Sequence, residues 1–309
     1  MSIEIKEIND QNFGKCLSIS NGLIEVSVTI DVGPRIIRFG KIGGPNLLYN
    51  DTEREYVVKN ESIESFYGED SEFCLYGGHR LWLSPERMPQ SYYPDNTPVM
   101  YTPLPDGASF TPPPQRVRDL QLSMEIMMSQ SALDIMVVHT LTNVSVDRRN
   151  LALWAITDLA PGGTMIIPQN KNDTHTLPNR SLSFWPYCSM RDSRFFMGDN
   201  YITLRSSCDS GKAFKLGTNN HAGWAAYVSD GYTFVKRYVH NMEAKYPDFA
   251  SSFEAYTDKN YISMETLSPL YTIEPREQVR HVENWSLFDT NSIPNSRDEA
   301  DIDAFVNQL

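Results

Sequence analysis

Cysteine is scarce and scattered in this chain. The four present, Cys16, Cys74, Cys188 and Cys208, show no CxxC spacing, which argues against a dense disulfide framework or a cysteine zinc site and predicts reduced, mostly buried thiols. Long apolar runs are missing too: nothing approaches the roughly 18 residues a membrane span needs. Met1 to Asn9 alternates apolar with charged residues and lacks the apolar centre of a signal peptide, so a cytoplasmic protein is expected. Positive charge is in deficit. Twenty-seven Lys and Arg against 39 Asp and Glu give a net charge of −12, a field that repels phosphate backbones and anionic head groups. Neither nucleic acid nor a membrane is an expected partner. A small basic pocket can still sit inside an acidic protein and take a carboxylate or a sugar phosphate.

Several catalytic signatures are also missing. There is no GxGxxG, P-loop, HExxH, GxSxG or EF-hand loop, which removes the main support for nucleotide, zinc-protease, serine-hydrolase and calcium-sensor functions. Nor does the body of the chain contain a stretch of about 12 residues with helical periodicity, which argues against a parallel sheet with crossover helices.

What is present is alternation. Of the 309 residues, 40% are hydrophobic and 21% charged, enough for a full core, and residues 1–309 are read as one domain. Ile24, Val26, Val28 and Ile30 share one face of a strand-like run from Leu23 to Ile30, after an Asn21-Gly22 turn. Further strand-like runs are Leu120 to Met128, Leu133 to Asn143, Asn150 to Thr157, Tyr201 to Arg205, Trp224 to Val228, Tyr232 to Val239, Tyr261 to Glu265 and Val279 to Leu287, with Ser229-Asp230-Gly231 linking two as a hairpin. The fold class is therefore all-β and largely antiparallel. A C-terminal helix near 297–308 follows a capping box at Ser296-Arg297-Asp298-Glu299, and Ile302, Phe305 and Leu309 form its apolar stripe. Between Pro85 and Pro114 lie nine prolines together with Tyr92, Tyr93, Tyr101 and Phe110. This predicts an ordered surface loop at 85–114 that either covers a cleft or closes one end of the sandwich.

The polar residues of interest fall in three places. Tyr76-Gly77-Gly78-His79-Arg80-Leu81-Trp82 combines glycines, an imidazole, a guanidinium and an indole, a set suited to a carbohydrate edge: close backbone approach, a planar donor fork and a flat face for a sugar ring. The alternative is that His79 and Arg80 satisfy a nearby carboxylate while Trp82 is core. Glu265, in Met264-Glu265-Thr266-Leu267-Ser268-Pro269, ends an apolar strand. It is either a partly desolvated base or a solvated strand-end residue. Lys236, Tyr238 and His240 alternate along a strand, with Tyr246-Pro247-Asp248 and Glu254 beyond. This arrangement suits an anionic sugar or a plain solvated face. His139, His175, His221 and His281 are read as structural or surface residues.

Taken together, Val32-Gly33-Pro34-Arg35-Ile36-Ile37-Arg38-Phe39, the Gly77-Gly78-His79-Arg80-Leu81-Trp82 segment, Met264 to Pro269, Glu274-Pro275 and the last strand Val279 to Phe288 resemble the galactose mutarotase-like superfamily, in particular one of its bacterial branches, over about residues 15 to 290. The resemblance implies a large antiparallel β-sandwich, a many-stranded supersandwich with a sugar cleft. It also implies an aldose 1-epimerase-like activity in which a glutamate takes a proton from the anomeric hydroxyl and a histidine protonates the ring oxygen. Glu265 matches the base, Arg35 the sugar-holding arginine with Arg38 next, and His79 the early sugar-contacting histidine, although its glycines precede rather than follow it. The stretch from Thr142 to Gly163, where the family carries its acid histidine, has none here. Trp154, Thr157 and Asp158 occupy that region, leaving His79 and then His240 as candidate acids.

Two functions follow as expectations. The first is a sugar mutarotase using Glu265 and His79 for proton transfer, with Arg35, Arg80, Trp82, Trp154, Asp158, Lys236 and His240 around the substrate and no metal or organic cofactor required. The second is a non-catalytic carbohydrate-binding protein that lacks the acid. Either way the expected partner is a small sugar or sugar acid.

Overall fold

The computed structural model describes residues 2–209, 211–229 and 231–309. Two large antiparallel sheets, of eleven and ten strands, stack face to face, and a two-stranded ribbon pairs Val57–Val58 with Phe73–Cys74. The expected all-β sandwich is what the chain forms, because its alternating residues give each strand one apolar face to bury. Between the sheets, Phe39, Phe234 and Trp285 meet edge to face with ring centroids 5.2–5.6 Å apart.

The centre of the eleven-stranded sheet concerns function. There Ile36–Lys41, His79–Ser84, Arg149–Leu159, Ile262–Leu267, Phe253–Thr257 and Phe214–Thr218 lie side by side. Each pairs on at least one side with a strand distant in sequence, so the sheet gathers segments from most of the chain.

The C-terminal helix spans Glu299–Val306 and begins later than the sequence suggests. Its N-cap is Asp298, whose side chain accepts from the Ala300 and Asp301 amides, so Ser296 is not the cap. Ile302, Phe305 and Leu309 pack on the outer side of the ten-stranded sheet against Ile166, Val228 and Val235. A second short helix, Glu61–Tyr67, is capped by Asn60; at 7 residues it is too short to register as periodicity.

The proline-rich segment is only partly a loop. Met100–Leu104 and Gly107–Thr111 form a hairpin at one edge of the ten-stranded sheet, with Pro103 in the outermost strand, where its missing amide leaves no ladder bond unmade. Trp224–Ser229 and Tyr232–Tyr238 pair as expected, although Asp230 in their turn lies outside the described residues. All four cysteines are free; Cys16 and Cys74 are buried, Cys188 is half-buried and Cys208 is exposed, correcting the expectation for the last.

Candidate functional site

On the face of the eleven-stranded sheet turned away from its partner lies a cleft of about 480 Å³, within the usual range for small ligands. Its floor follows from strand register, since directly opposed residues share a face. One row runs Arg80, Ile156, Glu265, Glu254 and Gly217 across five strands. The next runs Asp158, Ser263, Tyr256 and Lys215. Trp82 and Trp154 oppose each other one step along and meet edge to face at 5.5 Å. The walls come from Tyr56 beside the small ribbon, Glu86 and Tyr92 of the proline-rich segment, and Trp185 and Tyr187. That segment therefore lines the cleft.

Charge on the floor is paired. Lys215 Nζ lies 2.9 Å from Glu265 Oε2 and 2.8 Å from Glu254 Oε2, with the ring centroids of Trp154 and Trp185 at 4.5 and 4.6 Å. Glu265 also accepts from Trp154 Nε1 at 2.9 Å and Ser263 Oγ at 2.5 Å. Burial opposes ionisation of Glu265, but Lys215 and these donors outweigh it and hold its pKa below the ordinary value. Glu254 is fully buried and has no directed hydrogen bond beyond its contact with the same ammonium, so burial pushes its pKa up to about 8. One cation serves two carboxylates, and the proton settles on the less solvated, less hydrogen-bonded one. Arg80 Nη1 bonds Asp158 Oδ2 at 2.7 Å. Burial nonetheless raises the Asp158 pKa, and its Oδ1 has no partner in the described structure.

Of the residues singled out from sequence, Glu265, Arg80, Trp82, Trp154 and Asp158 line this cleft. His79, Arg35, Lys236 and His240 do not. His79 precedes Arg80 on one strand, and successive strand side chains leave on opposite faces, so the imidazole points between the sheets and is fully buried. Its Nδ1 is 2.8 Å from Thr157 Oγ1 and its Nε2 2.8 Å from His139 Nε2. The glycines before it meet backbone rather than ligand: a Cβ on Gly78 would lie 2.2 Å from the Ile36 carbonyl oxygen, and one on Gly77 2.4 Å from that of Tyr49. Arg35 is buried in a two-point ion pair with Asp95 at 2.5 and 2.9 Å. Lys236 belongs to the other sheet and points inward to Glu283 Oε1 at 2.9 Å. His240 lies just past its strand, stacked on Tyr246 at 4.8 Å with Nδ1 2.8 Å from Ser252 Oγ.

His79, His139 and Glu283 bring their ligand atoms within 4.8 Å of one another, yet the carboxylate is already satisfied by the protein, while His139 Nδ1 has no partner among the described residues. Glu283 accepts from Lys236 Nζ, Thr266 Oγ1 and Trp285 Nε1. The ammonium stands where a metal cation would neutralise the carboxylate. Despite its burial, Glu283 is held ionised chiefly by the Lys236 ammonium.

Lys215, Trp185, Tyr187, Tyr256 and Tyr261 escaped sequence reasoning. A lone lysine between Phe214 and Leu216 was the available signal, since strand alternation places it opposite two buried apolar residues. Its carboxylate partners are distant in sequence, so their convergence was not visible.

The sequence matches no protein-family model and no curated protein. Solved structures do match in shape. A candidate aldose 1-epimerase from Escherichia coli K12 is 11% identical, with a TM-score of 0.56 over 93% of this chain and 100% of its own. A galactose mutarotase-like protein from Lactobacillus casei ATCC 334 is also 11% identical, with a TM-score of 0.57 over 88% of this chain and 100% of its own. A TPR-domain containing protein from Parabacteroides distasonis ATCC 8503 gives 13% identity and a TM-score of 0.60 over 90% of this chain and 48% of its own. The architecture is thus a β-sandwich with an open, aromatic-walled cleft on one sheet. The fold is the galactose mutarotase-like fold.

Proposed function

We propose that the cleft binds a neutral pyranose and interconverts its anomers. The carrying observation is the floor of the eleven-stranded sheet, where Glu265, Arg80, Asp158 and Lys215 lie beside the Trp82 and Trp154 rings. Indole faces complement the C–H faces of a sugar, and charged donors and acceptors alongside complement its hydroxyls. The lining carries Glu55, Glu86, Asp158 and Glu265 against only Arg80 and Lys215, both already paired, which favours a neutral sugar over an acid. This replaces the anionic preference inferred from Lys236 and His240.

In this reading Glu265 accepts the proton of the anomeric hydroxyl. The ring oxygen is protonated through Asp158, whose Oδ1 has no partner in the described structure and whose ionisation burial opposes, as the C1–O5 bond breaks. The free aldehyde rotates about C1–C2, and reclosure on the other face returns both protons. Environments that push two carboxyl pKa values apart assign the base and the acid. Asp158 replaces His79 and His240 in this role because, among the described residues, none of the 6 histidines lines the cleft.

The test is anomer exchange measured by NMR on a panel of neutral aldoses and uronic acids. Glu265→Gln and Asp158→Asn should each lower the catalysed rate by about 100-fold or more, and Trp82→Ala should weaken sugar affinity about tenfold. A rate unaffected by Glu265→Gln removes the catalytic claim. The second reading, a binder without catalysis, is favoured by the three donors already on Glu265. It predicts affinity lost in Trp82→Ala with no rate enhancement in the unaltered protein.

A further inference from the structure

A second cleft of about 480 Å³ lies behind the proline-rich segment, and its charge is opposite to that of the molecule. Arg87, Arg118, Arg148 and Arg149 line it, and no acidic residue does. They arrive from three separate parts of the chain, in a protein with 12 more negative than positive charges. Such a concentration of like charge raises the energy of the folded state unless something answers it.

Little within the described residues answers it. The one ion pair is loose, Arg149 Nη2 to Asp119 Oδ2 at 3.7 Å on the surface. Arg118 donates only to the neutral Gln115 Oε1, at 3.2 Å. Burial and the neighbouring Arg149 both lower its pKa. Arg149 Nε is buried without a partner. A partly buried guanidinium with empty donors is costly, and guanidinium forks match the oxygens of a tetrahedral dianion.

The remaining lining limits what such a dianion carries. Gln90 and Ser91 add polar contacts on the loop side, while Phe66 and Leu151 give apolar walls beside the arginines. We propose that this pocket binds a small organic phosphate monoester, its phosphate among the four guanidiniums and its carbon skeleton against Phe66 and Leu151. The site is distinct from the sugar cleft and shares no lining residue with it. The two lie on opposite sides of one turn: Glu86 and Tyr92 face the sugar cleft, and Arg87, Gln90 and Ser91 face the arginine pocket. That turn is internally tied by Tyr92 Oη donating to Glu86 Oε1 at 2.6 Å and by the Arg87 amide donating to Ser91 Oγ at 2.9 Å.

The experiment is isothermal titration of the full chain with phenyl phosphate, inorganic phosphate and sodium sulfate at matched ionic strength. Phenyl phosphate is expected to bind at least tenfold more tightly than inorganic phosphate, and sulfate to bind weakest. Arg118→Gln and Arg149→Gln should each weaken phenyl phosphate at least tenfold. Because those two side chains are partly buried, the exposed Arg87→Ala and Arg148→Ala serve as a second pair, each expected to weaken it about threefold with the near-ultraviolet circular dichroism unchanged. Equal affinity for phenyl phosphate and sulfate, or a phenyl phosphate affinity unmoved by all four substitutions, overturns the proposal. Its outcome is independent of whether the sugar cleft is catalytic.

Discussion

Glu254 and Glu265 face each other across adjacent antiparallel strands with one ammonium between them, Lys215 Nζ lying 2.8 Å from the first and 2.9 Å from the second. The arrangement divides the protons: Lys215 stays charged because both carboxyls raise its pKa, Glu265 is ionised, and Glu254 keeps its proton near neutrality.

This division has a consequence for stability. Unfolded, Glu254 ionises near 4.5, whereas folded it does so near 8. Between those values the folded state holds the extra proton, so its stability falls as pH rises through the window. Glu254→Gln should therefore gain stability over the unaltered protein from pH 4.5 to 8, with Tm about 4 °C higher at pH 8 and no advantage at pH 4.5. Scanning calorimetry at several pH values would show it; a Tm difference independent of pH would contradict the assignment.

Removing the cation instead should be severe. Lys215→Met leaves two buried carboxyls without their shared partner, at a cost of about 3–5 kcal/mol. Adding Glu265→Gln should recover part of that loss, since Glu265 is the carboxyl that carries the charge Lys215 answers. Urea titrations of the single and double variants give the coupling directly, and strictly additive effects would exclude the shared-ammonium arrangement.

The buried imidazoles predict acid sensitivity. Burial lowers His79 well below its ordinary pKa, His139 to about 3 and His281 to about 4. As pH falls below about 6.5 the unfolded chain takes up protons that the folded one refuses, so stability present at neutrality is lost. Each of the three should contribute a slope of up to about 1.4 kcal/mol per pH unit below that value. Urea unfolding between pH 7 and 5 is the measurement, and His281→Asn should make the slope shallower.

Gly78 immediately precedes the strand carrying Arg80 and Trp82. Its φ is +68°, and an added Cβ would lie 2.2 Å from the Ile36 carbonyl oxygen. Gly78→Ala should cost about 2 kcal/mol or more through strain and displacement of that strand. Its effect on sugar affinity should follow the fall in Tm, because Gly78 does not line the cleft. Lost affinity with an unchanged Tm would instead indicate direct ligand contact by Gly78.

Much of the architecture was visible in the residues themselves. Alternation along Leu120–Met128 and Tyr201–Arg205 marked those strands to the residue, and the apolar stripe of Ile302, Phe305 and Leu309 foretold a helix lying on a sheet. Glu265, Arg80 and Trp82 stood out as candidates because a carboxylate, guanidinium or indole inside a strand pattern is unusual company, Trp154 and Asp158 through the family resemblance, and all five line one cleft.

What tertiary structure alone decided is the face and the neighbour. Period-2 alternation separates two sides of a strand without saying which side meets the other sheet. His79 and Arg80, adjacent in the chain, therefore ended on opposite faces, and Lys236 turned into the sandwich toward Glu283. Lys215, Glu254 and Glu265 meet through strand register, and register depends on pairings between distant segments. Composition set the molecule's overall negative charge; only folding drew four arginines from three places into one pocket.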